Sequence, residues 1–206
     1  MNSPPANFPQ SKYEVWVLLA IFAALCGAGL SRTSETFDEG NHLTRGLYPL
    51  SGNGFLLNKE HPPLINLLQA LPVHIALKPR MFPATPEMYP FFFHSEAVLW
   101  HSGNDGKLML LISRRVTLAL SLALGGLLFL WGRELYGDAG GLTSLCLFAF
   151  SPMMLAHGGL TTTDMGLALC LFAFFYVLWR FLGNPTRGRL IAAGLCLGAA
   201  IGAKHS

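Results

Sequence analysis

The chain has 206 residues, of which 52% are hydrophobic and 12% charged, with a formal net charge of +3. An average soluble domain carries about 25% charged residues, so half that share with long uncharged runs excludes an ordinary soluble domain and points to a membrane protein. The small, dispersed positive charge leaves no footprint for nucleic acid as a partner.

Five uncharged apolar segments lie at 15–30, 116–132, 142–163, 165–179 and 190–203. A helix needs roughly 17–25 residues to cross the hydrocarbon core. The first two segments reach that length once their flanks are added. Lys12 and the small residues near Cys26 give the first a faint likeness to a signal peptide. Glu14 at its edge and the missing A-x-A site favour a retained span. Pro152 is expected to kink the third segment or end its helix early. The fourth runs on into Arg180, which can snorkel. The four cysteines, Cys26, Cys146, Cys170 and Cys196, fall inside these runs without C-x-x-C spacing and read as small core residues.

Basic residues in short loops set orientation. The loop 181–189 carries Arg187 and Arg189 and no acid, so it is expected on the cytoplasmic side together with the loop 133–141. The long segment 31–115 then lies outside. This sorts the acids: Glu35, Asp38, Glu39, Glu60, Glu87, Glu96, Asp105 and Asp164 outside, and Glu14, Glu134 and Asp138 inside. Carboxylate chemistry is therefore expected at the outer face.

The outer segment contains its own elements. "TFDE" reads as a capping box, with Thr36 as N-cap and Glu39 three residues on, opening a short helix from Asp38 to Gly46. "HPPLINLLQALPVHIAL" sets Leu64, Leu67, Leu68 and Leu71 at helical spacing after a proline pair, which predicts an amphipathic helix lying along the interface. "MYPFFFHSEAVLW" gathers Tyr89, Phe91, Phe92, Phe93 and Trp100, residue types that settle at headgroup level.

Each candidate site residue has a plain structural reading. Glu39 completes a cap, Asp38 and Asp164 favour helix dipoles, Glu60 and His61 sit in a turn, and Arg114 and Arg115 anchor a span at the interface. Together they suggest more. Three carboxylate sites from distant parts of the chain meet on one face, beside an aromatic-rich segment and arginines that can neutralise a lipid phosphate. Glycosyl transfer from a lipid-phosphate donor needs a base, stabilisation of an oxocarbenium-like transition state and a cation for the leaving phosphate.

"FDEGNHLTRGLYPL", "KEHPPLINLLQALP", "SRRVTLALSLALGGLLFLWGRELYG", "FSPMMLAHGGLTTTDMGLAL" and "GLCLGAAIGAKHS" resemble, in that order, the N-terminal half of GT-C membrane glycosyltransferases. The nearest likeness is to the protein O-mannosyltransferase-like and aminoarabinose-transferase-like enzymes. The resemblance implies a polyprenyl-phosphate sugar donor used at the extracytoplasmic face of the inner (plasma) membrane. It implies Asp38 as catalytic base with Glu39 beside it, Asp164 as a second catalytic acid, and Glu60 as a ligand of a divalent metal. His61 stands where aminoarabinose-transferase-like members carry Lys, which weakens its match to a phosphate-binding role; Arg114 and Arg115 complete the substrate-binding candidates. Such enzymes have more spans, so the chain reads as the N-terminal part of one such domain.

The expectation is an all-α polytopic membrane protein with about five transmembrane helices and interfacial helices in the first outer loop. Its expected function is transfer of a sugar from a lipid-linked donor to a protein, lipid or glycan acceptor. The alternatives are a polyprenyl-lipid transporter or flippase subunit and a non-catalytic membrane subunit. Charged residues inside the spans would favour transport, and the five apolar segments carry none.

Overall fold

The computed structural model describes residues 10–55, 57, 61–82 and 91–204, with side chains from Tyr13 onward except at Phe91, Phe92 and Phe93. Among the described residues the fold is helical, without strands. Its elements are α1 (Gln10–Leu30), α2 (Glu39–Leu50), α3 (Leu64–Leu77), α4 (Phe91–Glu96), a π-helical turn (Ala97–His101), α5 (Gly106–Ala149), α6 (Pro152–His157), α7 (Asp164–Gly183) and α8 (Arg187–Ala203). Among the described residues three helices are long and apolar enough to cross a membrane: α1 over Tyr13–Leu30, α5 and α7. The protein is an all-α membrane protein.

α5 is two arms joined at Gly137, whose φ of 72° and ψ of −174° break the helix. Glycine takes that conformation without the Cβ clash other residues meet. The loop expected over 133–141 thus contracts to a break at one residue. The arms fold back against each other through small residues. A Cβ on Gly132 would lie 2.7 Å from Ser144 Oγ, and one on Gly141 would lie 2.8 Å from the Phe129 carbonyl. Close backbone approach at small residues is how membrane helices gain packing without a hydrophobic driving force.

The third apolar segment ends its first helix before Pro152, as expected. Phe150 and Ser151 leave the helix, Ser151 caps α6 through the Met154 N–H, and Pro152 occupies the first turn, where its missing N–H costs nothing. After α6 a short non-helical stretch, 158–163, carries the chain to α7, which starts at Asp164 as predicted.

Two large apolar cores and a small one around Tyr48 and Leu57 form among the described residues. One joins α1, both arms of α5 and α7 through Phe22, Cys26, Leu124, Phe129, Leu145, Phe148, Ala149 and Met165. The other fastens the first loop to the start of α5 through Leu43, Leu47, Ala70, Val73, Val98, Leu99, Met109 and Leu110. The described part of the 31–105 segment is therefore packed, and α2 is buried from Glu39 to Tyr48 rather than lying at the surface. Gly46 makes this possible: it rests on the Asn66 carbonyl and the Ala70 methyl with no room for a side chain.

α3 forms where the leucine spacing predicts a helix. Its buried face is Ile65, Asn66, Gln69, Ala70 and Val73, while Leu68 and Leu71 are exposed. Gln69 Nε2 donates to Thr117 Oγ1 and to the Thr162 carbonyl, both at 2.8 Å, and ties α3 to α5 and to the 158–163 stretch. Of the aromatic group expected at headgroup level, Tyr89 lies outside the described residues, and Trp100 is 39% exposed.

Candidate active site

Glu39 is fully buried and holds Arg114 in a bidentate pair. Arg114 Nε donates to Oε1 at 2.8 Å and Nη2 to Oε2 at 2.6 Å. The Thr161 N–H donates to Oε1 at 2.9 Å, and Thr36 N and Oγ1 donate to Oε2 at 3.0 and 3.1 Å. Half of the expected capping box is present: the Glu39 side chain takes the Thr36 N–H, but the Thr36 hydroxyl donates to the carboxylate instead of accepting from the helix. Arg114 also reaches the carbonyls of Leu30, Thr33 and Ser34.

A guanidinium has five N–H donors, and these contacts use all of them. Arg114 has no donor left for a lipid phosphate, which departs from the expectation that it contacts substrate. Burial alone would push the Glu39 carboxyl up; the Arg114 guanidinium, followed by the Thr161 and Thr36 N–H groups, outweighs it and holds the group below its ordinary value. Glu39 stays charged, with its lone pairs taken. This makes Glu39 a strut between the first loop, α5 and the 158–163 stretch.

Asp38 stands just before α2, exposed, and its side chain caps nothing. One turn on, His42 Nδ1 lies 3.1 Å from Asn66 Oδ1. An amide oxygen only accepts, so Nδ1 carries the proton and Nε2 keeps a lone pair. Burial, then the nearby Arg45 charge, holds this imidazole below its ordinary value and neutral, against the opposing effects of Asn66 and Asp38. His61 stacks on it, with ring centroids 6.2 Å apart. Asp164 Oδ1 meets Lys204 Nζ at 2.8 Å, joining the start of α7 to the end of α8. Asp38 and Asp164 both lie close enough to His42 to interact with it electrostatically.

The structure thus brings Asp38, His61 and Asp164 to one end of the bundle, with Glu39 and Arg114 beneath them. Arg115 is exposed, turned away from the inward-facing Arg114. Glu60 lies outside the described residues. Sequence reasoning missed His42, Asn66, Thr161 and Lys204. His42 alone carried a local signal, since it follows Asp38 by one helical turn. The acids expected on the other side collect at the opposite end: Asp138 pairs with Arg133 at 2.7 Å, and Glu134 accepts from Tyr176 Oη at 2.6 Å. Among the described residues no three His, Cys, Asp or Glu side chains come together as metal ligands.

No curated protein and no solved structure matches the chain. Residues 106–206 match the family model described as dolichyl-phosphate-mannose-protein mannosyltransferase. Just under half of the chain is therefore similar to a mannosyltransferase family, and the match singles out no member.

Proposed function

We propose that the chain is the donor-handling part of a glycosyltransferase that moves a sugar from a polyprenyl phosphate to an acceptor hydroxyl. The observation that carries this reading is the placement of an exposed, uncommitted carboxylate, Asp38, next to a fully committed one, Glu39. The strut holds the loop, and Asp38 is free for chemistry. In the proposed step the acceptor oxygen attacks the anomeric carbon while Asp38 takes its proton. The bond from that carbon to the phosphate oxygen breaks, and polyprenyl phosphate leaves with the electron pair. His61 and Arg115 are assigned to the departing phosphate as hydrogen-bond donors, and Asp164, held by Lys204, borders the sugar. The divalent metal implied by the resemblance enters this proposal only through Glu60, and no step is routed through it.

The test is a transfer assay on membranes containing the full chain. The donor is polyprenyl phosphate carrying radiolabelled mannose, supplied with and without a chelator. Label leaving the donor lipid only when the chain is present supports the reading. Donor that remains intact in the presence of stably inserted chain counts against it. Loss of transfer on chelation, restored by a divalent cation, would bring Glu60 back as a ligand.

The proposal places this site on the extracytoplasmic side, with five crossings: α1, the two arms of α5 with α6 extending the second, α7 and α8. Single cysteines at Asn53 and Asn184 in a cysteine-free chain check it. An impermeant reagent applied to intact cells is expected to label Asn53→Cys and spare Asn184→Cys. The opposite pattern reverses the topology.

A further inference from the structure

A groove of about 790 Å³ opens at the same end of the bundle, within the size range of small-molecule sites. Leu30, the last residue of the α1 span, and Leu108, in the first turn of α5, line it. It therefore lies beside the end of one candidate span and the first turn of another. Trp100, a residue type that settles at headgroup level, forms part of its wall and is 39% exposed.

Its charges come in both signs. Arg32 and Lys107 are exposed and make no ion pair among the described residues. Facing them are Glu35 and Asp105. Glu35 Oε2 accepts from Trp100 Nε1 at 2.6 Å, and Asp105 Oδ1 accepts from the Leu108 N–H at 3.0 Å. No hydrogen bond engages the second oxygen of Asp105 among the described residues. Arg114 also borders the groove, but Glu39 neutralises it. Two cations, two carboxylates and an apolar wall match a headgroup that carries a phosphate and an ammonium above an acyl chain.

We propose that this groove binds a zwitterionic phospholipid with a primary ammonium headgroup, phosphatidylethanolamine in chemical class. Arg32 and Lys107 take the phosphate, and Asp105 and Glu35 accept from the ammonium. A choline headgroup has no N–H to donate, and a purely anionic headgroup leaves both carboxylates uncompensated. The bound lipid braces the 31–35 loop, whose Thr33 and Ser34 carbonyls Arg114 grips. The inference rests on the membrane fold and not on the proposed reaction.

The experiment uses Trp100 as reporter. Trp16, Trp131 and Trp179 are changed to Phe in the full chain, which is placed in nanodiscs containing brominated phosphatidylethanolamine, phosphatidylcholine or phosphatidylglycerol. Quenching of Trp100 is expected at a mole fraction of brominated phosphatidylethanolamine on the order of fivefold lower than for phosphatidylcholine. Asp105→Asn keeps a good helix cap and is expected to abolish that preference. Lys107→Gln is expected to weaken quenching by both lipids. Equal quenching by all three lipids, or stronger quenching by phosphatidylglycerol, overturns the proposal. So does displacement of the brominated lipid by an equimolar polyprenyl phosphate, which would make the groove the donor's. Native mass spectrometry of the chain with its tryptophans intact gives a second measurement: retained phosphatidylethanolamine that Asp105→Asn loses supports the site, and indifference to Asp105→Asn overturns it.

Discussion

Glu39→Gln is expected to lower stability by about 3–5 kcal/mol, because it leaves the buried Arg114 guanidinium without its counter-charge. For a chain of this size that corresponds to a fall in Tm of roughly 6–20 °C, measured in detergent by tryptophan fluorescence. The amide also presents an N–H₂ to donors that already point at it: Thr161 N, Thr36 N or an Arg114 N–H. Changing both partners, Glu39→Gln with Arg114→Met, is expected to recover much of the loss, since a buried pair replaced by neutral groups of similar volume is often close to neutral. A Tm within 2 °C of the parent for the single variant would remove Glu39 from its place as a strut. The same pair sets an acid limit. The Glu39 carboxyl is held below its ordinary value of 4.5, so its contribution is fully present above that value. It is lost as pH falls through the lower folded value. Glu39→Gln should remove that part of the acid sensitivity.

Asp38→Asn is expected to behave in the opposite way. A positioned general base contributes about 10²–10⁴-fold, or roughly 3–5 kcal/mol at the transition state. The side chain is exposed and caps no helix, so the stability change should stay within about 0.5 kcal/mol. Sugar transfer in the full chain should fall by that factor while insertion, Tm and donor-lipid binding persist. Near-normal turnover would return Asp38 to the role of a helix-start acid and pass the base to Asp164. The two adjacent acids are thus separable: one variant lowers Tm, the other turnover. From sequence alone, Glu39→Gln is expected to cost less turnover than Asp38→Asn. The geometry divides the effects between stability and chemistry.

Local pattern was enough for much of the helical layout. Long uncharged runs mark α1, α7 and α8, Pro152 stops a helix because it lacks an N–H and clashes with the preceding turn, and Asp164 opens α7 where an acid favours the dipole. The segregation of acids to two ends also followed from which segments are apolar. What local pattern did not contain is partnership over distance. Glu39 meets Arg114 across 75 residues and Thr161 across 122, and Asp164 meets Lys204 across 40. None of these pairs has a spacing that periodicity can read, and each depends on how the spans are stacked. α3 shows the same limit most clearly. Its leucine stripe marks an amphipathic helix but not which residues meet the bundle, and the buried face carries Asn66 and Gln69. In water, apolar residues must turn inward, so hydrophobicity marks the core. Beside a bilayer, lipid tails are as good a surrounding for leucine as a protein interior, so the stripe no longer says which side is inside. Polar groups decide, because they need partners that only the bundle supplies. Those partners, Thr117 and the Thr162 carbonyl for Gln69 and His42 for Asn66, exist only once the tertiary structure is assembled.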